Sequence, residues 1–232
     1  QGYNVWSEYY PYDAASTSIA SNFFEPKIYK GTFGLEYEKT MYDPIADKFL
    51  TEEEYQQTKT KDPNRLVVVF NPNRKKWLPQ WLRMPHMIVA SDSIYSGKGV
   101  DSWDLPYTEY QGHPRTAGTR GKVLRLGREQ GVPLMFALSQ ITYWPAKHLG
   151  DTGLAGLEAM QIRGRMQEGM IADITVFDPA TVTDNATYKS GEQGKPSSGI
   201  PYVIVNGQVV VKNSKFQKVW AGQPIRFPVE DK

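Results

Sequence analysis

Asn206-Gly207 stands between two valine-rich runs, Val203-Ile204-Val205 and Val209-Val210-Val211. This dipeptide tolerates positive φ at both positions, as a two-residue type I′ turn demands. The sequence therefore predicts a hairpin there. Ile174, Val176 and the stretch Ile200–Val211 also alternate or run apolar at strand period. Before Gly150 the pattern is different. Lys122 to Gln130 has helical spacing and ends at Gly131. Pro133 suits the first turn of a second helix, with Leu134, Ala137, Leu138 and Ile141 on one face, and Pro145 restarts a turn that closes at Leu149-Gly150. Helices and strands followed by an all-β tail predict two structural layers or domains.

Further upstream, Val5 to Tyr12 reads as an aromatic strand closed by Pro11. Thr51-Glu52-Glu53-Glu54 fits a capping box: the Thr51 hydroxyl accepts from the Glu54 amide while Glu54 reaches back. The short polar helix it starts runs to about Lys59 and stops before Asp62-Pro63. Arg65 to Phe70 reads as a buried strand, and Met87 to Ala90 as a second one ending at Ser91-Asp92. Ser93 to His113 is irregular, and long loops after strands often carry binding groups. Asn71 to Arg83 interleaves basic residues with Trp77 and Trp81. Such a run can bind single-stranded nucleic acid, or it can be a solvated loop anchored by two tryptophans. The balanced charge favours the loop: 27 Lys and Arg against 25 Asp and Glu give a net +2.

Composition excludes several chemistries. There is no cysteine in the 232 residues, so disulfides, thiolate ligands and Cys nucleophiles are absent from this stretch. The longest apolar run, Leu66 to Phe70, is far too short to span a bilayer. Gln1 to Trp6 lacks the basic and apolar regions of a signal peptide, and the chain starts without Met in what reads as a strand. The expectation is a soluble chain, cytoplasmic or periplasmic, with no membrane or nucleic-acid partner.

Few residues can carry chemistry. His86, His113 and His148 are the only histidines, and no two have metal-ligand spacing. A zinc site takes about three or four protein ligands, and these residues do not supply one. Asp92 directly follows an apolar strand, where a carboxylate can bind a metal and move a proton, or can simply cap a turn. Arg115, in His113-Pro114-Arg115, offers a planar fork suited to a carboxylate, or is a surface arginine. Tyr10 and Ser16 flank a strand-end loop and could hydrogen-bond an anion.

These residues occur in a familiar order. Tyr10-Pro11-Tyr12-Asp13-Ala14-Ala15-Ser16, Ala90-Ser91-Asp92 and His113-Pro114-Arg115-Thr116-Ala117-Gly118-Thr119 resemble segments of the N-acyl-D-amino-acid deacylases, a family of the amidohydrolase superfamily. Ile162 to Asp178 is similar to the segment that leads amidohydrolases back into their β-sandwich, and Tyr202 to Val211 resembles the hairpin that closes it. The Tyr-Pro-Tyr and His-Pro-Arg pair is what points to the D-amino-acid branch. The resemblance implies an α/β TIM-barrel amidohydrolase with a small β-sandwich. Residues 1–16 would be the strand 7 region, and 17–85 an insertion or lid between strands 7 and 8. Residues 86–160 would hold strand 8 and its helices, and 161–232 the β-sandwich part.

The resemblance also implies roles. Asp92 would contact the metal, take a proton from the attacking water and hand it to the leaving amine. Arg115, Tyr10 and Ser16 would hold the substrate carboxylate. The cofactor would be one or two zinc ions, with the remaining ligands upstream of this chain. The implied partners are a small-molecule substrate with a free carboxylate and the missing N-terminal part of the enzyme, and a homo-oligomer is allowed. The chain is thus expected to be the C-terminal part of a zinc-dependent enzyme that hydrolyses N-acyl-D-amino acids, inactive alone. A related cyclic-amide or dipeptide amidohydrolase, or a non-catalytic chain, are the alternatives. Arg120-Gly121-Lys122 departs from the aromatic-Pro-Arg usual after Gly-Thr, and Ser93–Gly112 lengthens the Asp92–Arg115 spacing.

Overall fold

The computed structural model describes residues 5–94, 103–151 and 158–226. In chain order its strands are β1 (Ser7–Tyr9), β2 (Ala14–Ser18), β3 (Met41–Asp43), β4 (Lys48–Phe49), β5 (Leu66–Phe70), β6 (Met87–Val89), β7 (Ile174–Val176), β8 (Tyr202–Val205), β9 (Gln208–Lys212) and β10 (Lys215–Phe216). The helices are α1 (Pro26–Tyr29), α2 (Tyr37–Thr40), α3 (Glu52–Lys61), α4 (Pro72–Trp81), α5 (Arg115–Glu129), α6 (Leu134–Ile141), α7 (Tyr143–Gly150) and α8 (Glu158–Gln161).

β1 and β6 pair in parallel, with Ser7 opposite Met87 and Tyr9 opposite Val89. Parallel neighbours need a long crossover, and here residues 10–86 supply it. The pair is covered by helices. Tyr9, Met87 and Val89 share one buried cluster with Leu82 and with Val123, Val132 and Ala137 of the α5–α6 region. Burial on that scale contributes about 1.5–3 kcal/mol for each large apolar side chain. The described residues contain this two-stranded parallel sheet and no closed barrel.

The crossover folds around its own core. β2, β5, β3 and β4 form an antiparallel sheet in that order, with Ser16 opposite Val68 and Tyr42 shared between Val68 and Phe49. Ile19, Phe24, Tyr29, Tyr37, Met41, Leu50, Tyr55 and Val67 fill its interior. Tyr37 stacks between Tyr29 and Tyr55, with ring centroids 4.6 and 4.9 Å away. The capping box forms as the sequence reads: the Glu54 amide donates to Thr51 Oγ1 at 3.1 Å, and the Thr51 amide to Glu54 Oε2 at 3.0 Å.

Asn71 to Arg83 is not a loop. It holds the ten-residue helix α4, started by Pro72 and by Asn71, whose side chain accepts from the Asn73 amide. Both signals are ordinary helix-start chemistry. They are masked in the sequence by the internal Pro79 and by the basic residues. The first helix after the irregular segment also starts early, at Arg115 rather than Lys122.

The tail is an antiparallel sheet in the order β10-β9-β8-β7. Asn206 and Gly207 adopt φ of 50° and 77°, the two positive values of a type I′ turn. Asp173 Oδ1 accepts from the Asn206 amide at 2.7 Å and fixes the turn against the entry to β7. Between Ile162 and Asp178 only Ile174–Val176 is strand. Among the described residues the tail strands form this one four-stranded sheet. No helix among them is long and apolar enough to cross a membrane.

Candidate active site

Tyr10 follows β1 and Asp92 follows β6, so the parallel pairing brings both to one edge, the C-terminal ends of two adjacent strands. In parallel α/β folds this edge carries the chemistry. Arg115 reaches the same place from the first turn of α5. Its Nε donates to the Asp92 carbonyl at 2.6 Å, and its Nη2 lies 3.0 Å from Asp92 Oδ2. Asp92 has φ 49°, in the left-handed region that Asp tolerates better than most residues.

Arg115 is 3% exposed, whereas the Asp92 side chain is 61% exposed. The third nitrogen of the guanidinium, Nη1, is buried and has no hydrogen-bond partner. A buried cationic donor left this way is costly, and its natural complement is an anion. The guanidinium carbon lies 4.8 Å from the centre of the Tyr10 ring, and that of Arg74 lies 4.2 Å from it. Arg74 also donates from Nε to the Tyr12 carbonyl at 3.1 Å and from Nη2 to the Tyr10 carbonyl at 3.3 Å.

His113 is fully buried. Its Nδ1 accepts from the Arg115 amide at 3.0 Å, so the ring proton sits on Nε2, which donates to the Ala14 carbonyl at 3.0 Å. The rings of Tyr12 and Tyr188 stand perpendicular to it, with centroids 5.1 and 5.2 Å away. Burial, with the Arg115 charge adding to it, pushes the imidazole pKa down to about 3. Burial also lowers the pKa of Lys122, whose ammonium sits 3.9 Å over the Tyr12 ring, and raises those of Tyr12 and Tyr188.

Ser16 lies on β2 in the crossover sheet, nearly buried, and its hydroxyl meets the Gly112 carbonyl at a long 3.5 Å. Tyr10 and Ser16 line one cavity of about 730 Å³, walled by Phe23, Phe33, Leu35 and Arg74. Arg115 is not among the residues lining it. The four predicted site residues therefore divide: Asp92, Arg115 and Tyr10 are in direct sequence of contact, while Ser16 is tied to Arg115 through Gly112 and His113.

A loop from the tail closes over the motif. Gln193 is buried, accepts from the Gly112 amide at 2.9 Å and donates to the Gly112 carbonyl at 3.1 Å. Tyr188 donates to Asp13 Oδ1 at 2.9 Å. Sequence reasoning missed Gln193, Tyr188 and Arg74. Of these only Arg74 had a visible signal, its place in the basic and aromatic run.

Among the described residues no three His, Asp or Glu side chains come together as a metal site. His86 and His148 are not near Asp92 in role: both rings pack on Trp6, at 4.6 and 5.3 Å. Asp92 offers one carboxylate, and that carboxylate is paired with Arg115.

No protein-family model matches the chain. It is 38% identical over 126 residues to a D-aminoacylase of Alcaligenes xylosoxydans xylosoxydans, and 39% identical over 113 residues to an N-acyl-D-aspartate deacylase of the same organism. These matches cover 53% and 48% of this chain but only 24% and 20% of the relatives. A solved D-aminoacylase described as having a binuclear metal centre superposes on 95% of the chain with a TM-score of 0.68 at 23% identity, and 42% of that protein is covered. An N-acyl-D-glutamate deacylase from Bordetella bronchiseptica, solved with zinc and a phosphonate inhibitor, superposes with a TM-score of 0.65 at 23% identity. There 90% of this chain and 40% of the neighbour are covered. The chain is related in sequence to the N-acyl-D-amino-acid deacylases over about half its length and shares the D-aminoacylase fold over nearly all of it. The sequence matches cover about a fifth to a quarter of those relatives' length, and the superpositions 40–42% of the solved proteins.

Proposed function

We propose that this chain is the C-terminal part of a metal-dependent amidohydrolase that cleaves the amide bond of N-acyl-D-amino acids, giving a carboxylic acid and a free D-amino acid. The observation that carries the reading is Arg115. It is a buried guanidinium with an uncommitted Nη1, at the C-terminal ends of two parallel strands, in contact with the Asp92 carboxylate. Zinc is named for the Bordetella neighbour, and we take it as the cofactor. The described residues do not make a zinc site on their own. Asp92 supplies one ligand at most, and the others belong to the part of the protein outside this chain.

Within this chain the roles divide by chemistry. We assign the substrate α-carboxylate to Arg115, which touches the Tyr10 ring, with Tyr10 and Ser16 lining the adjoining cavity as supporting donors, so that the scissile amide is fixed relative to Asp92. As the water oxygen bonds to the amide carbon, its proton passes to the Asp92 carboxylate. As the C–N bond breaks, Asp92 returns that proton to the departing nitrogen. Residues 17–85 form the crossover wall, and we read them as a lid that excludes water from the substrate. The β-sheet tail is one layer of the sandwich, and β1 and β6 are strands 7 and 8 of the barrel.

The test is a hydrolysis assay with the complete protein that contains this segment, using matched N-acyl-D- and N-acyl-L-amino acids with and without added zinc. Release of the free D-amino acid, dependent on the metal, is expected. Equal turnover of both enantiomers, or turnover confined to cyclic amides, overturns the reading.

A further inference from the structure

His113 does more than fill the core beneath the motif. Its two ring nitrogens are committed to two different sides of the proposed carboxylate clamp. Nδ1 accepts from the backbone N–H of Arg115, and Nε2–H donates to the carbonyl of Ala14, two residues before Ser16 on the same strand. Among the described residues the ring is the one side chain that hydrogen-bonds both the arginine-bearing helix and the serine-bearing strand. The preceding residue completes the link, since the Gly112 carbonyl meets Ser16 Oγ and is held by Gln193.

We propose that His113 is a positioning residue: as the neutral Nε2–H tautomer it sets the separation between Arg115 and β2, and thereby the width of the site that takes the substrate carboxylate. This rests on the clamp reading given above. The chemistry is restrictive. A cationic imidazole has no acceptor for the Arg115 amide, and an Nδ1–H tautomer would present donor to donor there and acceptor to acceptor at Ala14. The surroundings exclude the cation. Tyr10, Tyr12 and Tyr188 pack with their rings steeply inclined to it, and burial first, then the Arg115, Lys122 and Arg74 charges, disfavour a positive ring.

The experiment has two independent readouts. In the complete protein labelled with ¹⁵N-histidine, the ring signals lost in His113→Asn or His113→Gln assign the residue. A neutral ring protonated at Nε2 at pH 5, where an exposed histidine is cationic, is expected. An imidazolium, or the Nδ1–H tautomer, overturns the proposal without any assay.

The second readout is kinetic. His113→Asn keeps an acceptor near Nδ1 and His113→Gln keeps a donor near Nε2, so each loses one bond. Each should raise KM for an N-acyl-D-amino acid by about 3- to 10-fold, and His113→Ala by on the order of 10²-fold. KM for the matching N-acyl-D-amino amide, which lacks the carboxylate, should stay within about twofold, and kcat should change less than KM. A loss shared equally by acid and amide, or confined to kcat, overturns the positioning role. If the unmodified protein does not distinguish acid from amide, the clamp reading itself fails and takes the positioning role with it. The ring spectrum still reports the tautomer in that case, so the two failures are told apart.

Discussion

Arg115 Nη2 lies 3.0 Å from Asp92 Oδ2 while Arg115 Nε donates to the carbonyl of the same residue, so the proposed clamp and the proposed proton carrier are bonded to each other. The pairing orients Asp92 from both its backbone and its side chain. It also places a permanent positive charge beside the carboxylate that we propose accepts a proton.

Asp92→Asn keeps the size of the side chain and an oxygen for Arg115, but it cannot take a proton. If the proposed activity holds, the complete protein should lose about 10²–10⁴-fold in kcat, the usual worth of general acid–base transfer. Arg115→Lys loses the planar fork, and kcat/KM for an N-acyl-D-amino acid should fall by about 1.5–3 kcal/mol, with a much smaller loss for the amide. Because the two residues touch, the penalties should not add. Measured kcat/KM for the single and double variants checks this, and strict additivity would show that the contact is not functional.

Gly118 sits where α5 passes closest to Tyr12. A Cβ there would lie 2.4 Å from Tyr12 Oη and 3.3 Å from Asp184 Cβ. Tyr12 is buried, and its hydroxyl donates to the Pro114 carbonyl at 3.2 Å, one residue before Arg115. Gly118→Ala should destabilise the protein by about 1–3 kcal/mol, the range for overpacking a core. Removing the hydroxyl as well, in Gly118→Ala with Tyr12→Phe, should recover part of that loss. Denaturant midpoints of the three variants decide it, and no recovery would mean the clash lies elsewhere.

Gly118 also shows how far the sequence could be read. The helix over 122–130 was legible from its apolar spacing, but its first two turns contain Gly118 and Gly121, which propensity discourages. Tertiary contact requires both: a Cβ at Gly121 would lie 2.6 Å from Ser197 Oγ. The hairpin at Asn206-Gly207 and the capping box at Thr51 were legible because turn and cap chemistry is local. Asp92 and Arg115 were legible as separate candidates through short motifs. Their contact was not, because 23 positions separate them and it depends on the pairing of β1 with β6. His113 was visible only as a motif letter, since its partners Ala14 and Arg115 come from two elements far apart in sequence.

Asp43 anchors the crossover sheet. It is 2% exposed, and its carboxylate accepts from the Ile45 and Ala46 amides at 2.8 and 3.2 Å and pairs with Arg65 at 3.0 Å. Asp43→Ala leaves those donors and the guanidinium short of an acceptor, and removing one partner of a buried pair costs about 3–5 kcal/mol. Arg65 retains Asp62 at 2.9 Å, so the loss should fall at the lower end. Asp43→Asn keeps one carboxamide oxygen and should lose less. If Tyr10 and Ser16 face a cavity built by this sheet, as the lining shows, KM should rise in parallel with the loss of stability. Urea melts and KM values measured together test both.

His113 makes the sign of one pH effect calculable. Its ordinary pKa of 6.5 falls to about 3 on folding, first through burial and then through the Arg115 charge. Between those values the unfolded chain binds a proton that the folded one refuses, so stability falls as pH is lowered through the window. The contribution is complete above about pH 6.5, declines from there toward pH 3, and is gone below it. Carboxylates held low by their partners, such as Glu54 beside Lys48, slope the same way at lower pH, so the histidine must be isolated by comparison. His113→Asn cannot be protonated in either state. The variant should be less stable than the parent at pH 7, where the parent's hydrogen bonds are intact, and the gap should narrow steadily between pH 6.5 and 4. Denaturant titrations of both proteins across that range measure the gap. A gap that stays constant with pH would show that His113 is protonated alike in the folded and unfolded protein, against the buried neutral ring its hydrogen bonds require.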